Sequence, residues 1–230
     1  MSKHIKRIPA PKTWPLLRKA RKFVLKPLPG KHGEEYALPL GFVLRDMLGY
    51  VKNLREAELV LRQKKVLVDG KPVREAKYNV GLFDVISIPG ANEHYRLLLN
   101  EFGKFYLKKI NEEESKKKVV RINSKKLVGK GKFQYGLIDG RTIVSSDKYN
   151  TFDSLVISLP DQKIIKSIPF TLGNQVYLIS GNHVAKVGEL KEVIPELRTT
   201  KVVIKTKDGD VETLKKYVII VGEKKSEISL

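Results

Sequence analysis

Between Leu38 and Pro89 the spacing of apolar positions changes from helical to extended. Leu40, Val43, Leu44, Met47 and Leu48 recur at helical spacing, and Pro39 suits a first helical turn. Leu54, Ala57 and Leu61 form the buried stripe of a second helix. Asn53 is its expected N-cap, with Glu56 in the capping-box position. Arg55 and Arg62 share the exposed side of that helix. Val66, Leu67 and Val68 then predict a short strand, and Asp69-Gly70 a tight hairpin turn. Residues 80–88 supply a last strand. Helix, helix, hairpin and strand make one unit over residues 38–92, with Arg and Lys on its outer face.

Beyond residue 92 the pattern is β. Residues 95–99 and 105–110 flank a hairpin turn holding Gly103, and a short polar segment follows at 112–115. Lys116, Lys117, Lys118, Arg121, Lys125, Lys126, Lys130 and Lys132 come next, without an acid among them. Val119, Val120, Ile122, Leu127 and Val128 are interleaved, which a disordered tail would lack. We therefore expect a basic, RNA-facing strand and a loop at 129–132. Residues 133–143 predict strand, turn and strand. Residues 147–153 form a polar link, and two strands follow at 154–159 and 163–168. Asp139 and Asp153 read as surface turn residues. Residues 170–222 have the strand spacing of a small β-barrel, with a hairpin at Asp208-Gly209. The expected fold is α+β and multidomain: a basic arm (1–37), the helical-hairpin/β module (38–92), a central β domain (93–169), the barrel (170–222) and a polar tail (223–230).

Charge sharpens this picture. The 230 residues include 45 Lys and Arg against 25 Asp and Glu, a formal net charge of +20. Such an excess opposes folding by self-repulsion unless a polyanion neutralises it, so nucleic acid is the leading partner and an anionic membrane surface the second. There is no cysteine, which excludes disulfides, thiolate metal sites and a Cys nucleophile. His4, His32, His94 and His183 show no metal-ligand spacing. No apolar run approaches the roughly 20 residues of a membrane span. No secretory h-region follows the basic N-terminus, so the cytoplasm is the default expectation. No dinucleotide or Walker-type glycine pattern occurs, so neither catalysis nor a cofactor is expected.

The arm carries Lys3, Lys6, Arg7, Lys12, Arg18, Lys19, Arg21, Lys22, Lys26 and Lys31 before the first acid, Glu34. Pro9, Pro11, Pro15, Pro27 and Pro29 bar a long helix, although residues 16–25 could hold a short one. Such an arm is expected to be poorly ordered alone and to order against phosphates. Trp14, the only tryptophan, is expected to anchor the arm on the core, with base stacking as the alternative.

The 38–92 unit resembles the S4 RNA-binding module. The matching residues are Glu56-Ala57, Val66-x-Val68-x-Gly70-x-x-Val73 and Asp84-Val85-Ile86-x-Ile88, with Lys64 where the pattern usually ends its helix on Gly. The arm sequence Lys3-His4-Ile5-Lys6-Arg7-Ile8-x-Ala10-Pro11-Lys12-x-Trp14 resembles the opening of the S4e family of archaeal and eukaryotic small-subunit ribosomal proteins. So do Gly81-x-Phe83-Asp84-Val85-Ile86-Ser87-Ile88 and Asp139-Gly140-Arg141-Thr142-Ile143. Residues 175–190 resemble a KOW motif within an SH3-like barrel, with Gly188 at the required glycine, for a sharp bend, and Ala185 where the family usually has Gly. The resemblance implies a structural, non-enzymatic protein, monomeric within the ribosome. It would bind small-subunit ribosomal RNA beside neighbouring small-subunit proteins, with no membrane and no small-molecule substrate. The expected RNA contacts are Lys3, Lys6, Arg7, Lys12, Trp14, Arg18, Lys19, Arg21 and Lys22 in the arm. In the S4-like unit they are Arg45, Arg55, Arg62, Lys64, Lys65, Lys71, Arg74 and Lys77, and further on the basic strand and Asn182, His183 and Lys186 in the KOW-like loop. The alternative is a non-ribosomal RNA-modifying or ribosome-assembly factor carrying an S4 module.

Overall fold

The computed structural model describes residues 4–129, 131–196 and 199–230. The chain divides into two compact units. One comprises the chain up to Leu98 with Lys104–Lys116, the other Leu99–Gly103 with Lys117–Leu230. The structure is mostly β with few helices.

The first unit begins with an antiparallel pair, β1 (His4–Lys6) and β2 (Phe23–Leu25). The short helix considered for 16–25 is absent there, and β2 occupies its end. Strand β3 (Ala37–Pro39) leads into α1 (Leu40–Phe42), and one wider helical turn continues over Val43–Met47. Leu40, Phe42, Val43 and Leu44 are buried, which is why the apolar period shows so clearly. Pro39 stands just before the helix rather than in its first turn and pairs with Asn79. Helix α2 (Leu54–Arg62) buries Ala57 and Leu61. The expected capping box is not made: the Asn53 side chain does not cap, and Glu56 Oε2 accepts from Lys52 N, one residue before the N-cap, at 2.8 Å.

Strands β4 (Leu67–Val68) and β5 (Lys71–Pro72) form the expected hairpin. Asp69 and Gly70 both take positive φ, 50° and 74°, as a two-residue I′ turn requires. Strand β6 (Asn79–Gly81) pairs with β3, and β7 (Val85–Ile88) with β4. The sheet then continues through β8 (Glu93–Leu99) to β9 (Phe105–Ile110), in the order β5-β4-β7-β8-β9. The boundary drawn at 92/93 from the sequence therefore falls inside a sheet: β7 and β8 pair from Val85↔Arg96 to Ile88↔Glu93. Arg96 is buried in this unit and bonds Glu114 of α3 (Glu112–Ser115). Burial pushes the Arg96 guanidinium down from its ordinary pKa, and Glu114 opposes that shift.

The second unit opens with the long strand β10 (Lys117–Gly129), which serves two partners. Its first part pairs with β13 (Ser154–Ser158) and its second with β11 (Lys132–Leu137), with register shifts at Ile122/Ser124 and Leu127/Gly129. Strands β12 (Thr142–Ser145) and β14 (Ile164–Ile168) complete the order β12-β11-β10-β13-β14. Val120, Ile122, Tyr135, Leu137, Leu155 and Ile157 form its core. A second antiparallel sheet contains β15 (Gln175–Leu178), β16 (Val187–Pro195), β17 (Thr200–Thr206), β18 (Gly209–Leu214) and β19 (Val218–Gly222). Its order is β18-β17-β16-β15-β19. Gly188 lies within β16, paired with Val176 and Thr206. A Cβ there would stand 2.5 Å from Ile204 Cγ2 and 2.6 Å from Lys205 O. Glycine is required at 188 by the close approach of β17, not by a bend.

Candidate nucleic-acid interface

Helix α2 satisfies its own backbone, so the side chains on its outer face have no carbonyl to serve. Arg55 and Arg62 are both exposed there. Arg62 also lines an open groove of about 540 Å³ with Leu28, Glu58, Arg74, Glu75, Ala76 and Lys77. Three of the expected contacts thus come together from two segments, Arg62 from α2 and Arg74 and Lys77 from the connection between β5 and β6. Lys64, Lys65 and Lys71 are exposed on the same unit. Lys64 has φ 57°, the left-handed value at which glycine ordinarily ends a helix. Its N–H donates to Leu61 O, and that of Lys65 to Val60 O. Arg45 is different, because its guanidinium folds onto Asp46 at 2.6 Å.

The arm departs from the expectation of poor order. Trp14 is 1% exposed and packs near Phe42, so it anchors the arm instead of offering a face to a base. Arg7 is buried and donates to Phe23 O and Leu17 O. Arg18 donates to the carbonyls of Arg7, Ile8, Ala10 and Pro11. These two arginines close the Pro-rich loop on itself. Lys6, Lys12, Lys19, Arg21 and Lys22 remain exposed. Lys3 lies outside the described residues.

The C-terminal end of the arm is held by a network that sequence reasoning missed. Lys31 Nζ lies 2.9 Å from Asp69 and 2.7 Å from Asp84. His32 Nε2 lies 3.0 Å from Asp84 Oδ2, which also accepts from Gly81 N. A Cβ at Gly81 would stand 2.3 Å from the His32 ring. The available signal was Asp84 itself, an acid inside an otherwise apolar run.

In the second unit the basic strand divides between interior and surface. Lys118 and Arg121 do not face outward. Lys118 is 0% exposed and pairs with Asp139 at 3.0 Å. Arg121 donates to Lys216 O and Val218 O, both at 2.7 Å. Asp139 is likewise buried rather than a surface turn residue, and also meets Arg141. Asp153 is buried too, accepting from Asn150 N and Phe170 N. Lys116, Lys117, Lys126 and Lys132 are exposed, although Lys116 pairs with Glu112. Lys125 donates to Tyr149 O and lies over the Phe133 ring at 4.6 Å. Lys130 lies outside the described residues. In the 180–186 loop Asn182 is exposed, His183 is half-buried, and Lys186 pairs with Asp208 at 2.6 Å. Ala185 takes φ 65°.

Among the described residues no group of three or more His, Cys, Asp or Glu could hold a metal ion. No described helix is long and apolar enough to cross a membrane.

Helix pair, hairpin and sheet with an exposed arginine face define an S4-domain protein of strongly basic, mostly β build, and the S4 domain description matches residues 43–86. The RS4NT (NUC023) domain matches residues 1–35, and "Ribosomal family S4e" matches residues 91–164. The chain is 40% identical over 222 residues to the small ribosomal subunit protein eS4 of Methanocella arvoryzae, covering 96% of this chain and 94% of that one. It is 45% identical over 195 residues to the eS4 protein of Nanoarchaeum equitans, covering 84% and 83%. The crystal structure of the 30S ribosomal protein S4e from Thermoplasma acidophilum superimposes with a TM-score of 0.70 at 33% identity, over 84% of this chain and 97% of that one. The chain belongs to the eS4 family of small ribosomal subunit proteins.

Proposed function

We propose that this chain is a structural constituent of the small ribosomal subunit that binds and stabilises folded small-subunit ribosomal RNA and has no reaction of its own. The observation that carries the reading is the cationic surface of the S4 domain, where Arg55 and Arg62 stand exposed on α2 and the groove gathers Arg62, Arg74 and Lys77. A rigid surface of this kind meets folded RNA through phosphates and 2′-hydroxyls. Arg suits bidentate phosphate contact, and each phosphate neutralised releases counterions. The exposed lysines of the arm, the outward members of the basic strand and the 180–186 loop supply further contacts. In this reading residues 170–222 act as a KOW-type barrel and residues 117–169 as the central β domain. The protein works as a monomer in the cytoplasmic ribosome beside neighbouring small-subunit proteins.

Sucrose-gradient fractionation of lysate tests the reading. Co-migration with the small subunit through moderate salt is expected, whereas migration as free protein at every salt would remove it. Arg55→Glu with Arg62→Glu should weaken binding to a small-subunit rRNA fragment and lower the salt slope by about 1.5–2 in log–log terms. The matched change Lys224→Glu with Lys225→Glu on the exposed tail should not. Equal effects would sink the assignment of the α2 face.

A further inference from the structure

Phe152 takes φ 74°, a conformation that strains a bulky side chain and costs glycine almost nothing. Phe83, at φ 64°, offsets the same cost by being buried in the first unit. Phe152 does not, since its ring is only half-buried. The ring instead lines a concavity of about 270 Å³ with Thr199, Thr200, Leu214, Lys215 and Lys216. Lys215 Nζ stands 4.6 Å from the Phe152 ring centroid and 4.5 Å from that of Phe170. The guanidinium carbon of Arg121 is 5.2 Å from the Phe152 centroid. The aromatic surface is therefore met by cations, one of them the half-buried Lys215, and not sealed under apolar core.

We propose that this concavity is a nucleotide-binding site for one unpaired residue of RNA, its base stacking on Phe152 and its phosphate meeting Lys215 and Lys216. A volume of about 270 Å³ has room for one base, with its ribose and phosphate lying at the rim. Aromatic stacking beside cations is how proteins hold single-stranded nucleic acid. The threonine hydroxyls supply hydrogen-bonding groups for a ribose or a base edge. Lys215 gives up its place over the rings as the base enters and turns to the phosphate. None of these residues belongs to the cationic surface of the S4 domain, so this is a second site, in the other compact unit. The inference rests on the RNA-binding reading given above.

The test uses the full chain with Arg55→Glu and Arg62→Glu already in place, so that the S4 surface is weakened. The probe is a single-stranded oligouridylate carrying 5-iodouridine. Ultraviolet crosslinking should place the base on the peptide that contains Phe152. Phe152→Gly should lower affinity for the oligonucleotide about five- to a hundredfold, and Phe152→Tyr should hold it within about twofold of the parent. Phe152→Gly also relieves the backbone, so its melting curve checks that the fold persists. Lys215→Gln with Lys216→Gln should flatten the salt dependence of the same binding. Crosslinks confined to the first unit, or equal losses from Gly and Tyr, would overturn the site while leaving the rRNA reading intact. A wild-type chain that binds neither the oligonucleotide nor an rRNA fragment would overturn both.

Discussion

Arg7 and Arg18 of the arm and Arg55 and Arg62 of helix α2 are used in opposite ways. In the arm, Arg7 and Arg18 turn inward and are taken up by six backbone carbonyl contacts. On α2, Arg55 and Arg62 stand exposed. The cause lies in the backbone. A helix satisfies most of its own carbonyls, so an arginine on its surface is left for solvent or ligand. A proline-rich loop has fewer N–H groups and no regular ladder, so its carbonyls need donors, and the guanidinium fork supplies several at once. Arginine content alone therefore does not measure RNA-binding surface. What matters is whether the local backbone has already used the side chain.

The sharpest way to widen this contrast is inside the basic strand, where a cation is wholly buried. Lys118→Ala should destabilise the second unit by about 3–5 kcal/mol, because Asp139 keeps a buried charge without its main partner. Chemical denaturation would measure it, and adding Asp139→Leu should return much of the loss. Next comes the arm. Arg18→Ala should cost about 2–4 kcal/mol in thermal unfolding, and Lys should not replace it, since an ammonium cannot reproduce the fork. Arg55→Ala should stay within about 0.5 kcal/mol of the parent. A similar cost at both positions would break the comparison.

Smaller effects are expected at Lys64 and Ala185, the two positions where this chain departs from a glycine expected by resemblance. Both have positive φ, 57° and 65°. Each change to Gly should stabilise by about 0.5–1 kcal/mol, read by thermal melts. Lys64→Gly should at the same time weaken RNA binding slightly, whereas Ala185→Gly should not.

The smallest effect is electrostatic. The hydrogen bond from Lys186 holds the exposed Asp208 carboxyl below its ordinary range. A depressed carboxylate pKa contributes stability that is present above its unfolded value and lost as pH falls through the folded one. Acidification through that range should release Lys186 from Asp208, with little change in stability at so exposed a pair. An NMR titration of Asp208 would follow it, and an ordinary aspartate pKa would contradict the pairing.

Much of the S4 region was readable from local pattern. Leu40, Val43 and Leu44 gave the first helix and Ala57 and Leu61 the second, because their period maps onto buried faces. Asp69-Gly70 marked its own turn, because both residues tolerate positive φ. The exposed pair Arg55 and Arg62 followed from helical spacing. The basic strand was harder. Its lysines and arginine looked unopposed because no acid lies among them between Lys116 and Lys132, yet Asp139, 21 residues beyond Lys118, pairs with it. Alternation along β10 could not show this either, since the strand changes partners midway and shifts register.

Sequence alone determined the helices, the hairpin turn, the excess of positive charge and the likeness to a known family. These depend on spacing, turn chemistry and composition, which are local or additive. Tertiary structure decided which cations are spent on the fold, why position 188 must be glycine, and that Trp14 belongs to the core. It also brought Phe152 beside Lys215 and Lys216. Each of these depends on an approach between segments far apart in the chain, set by packing and by the need to satisfy buried charge, and no local pattern carries that information.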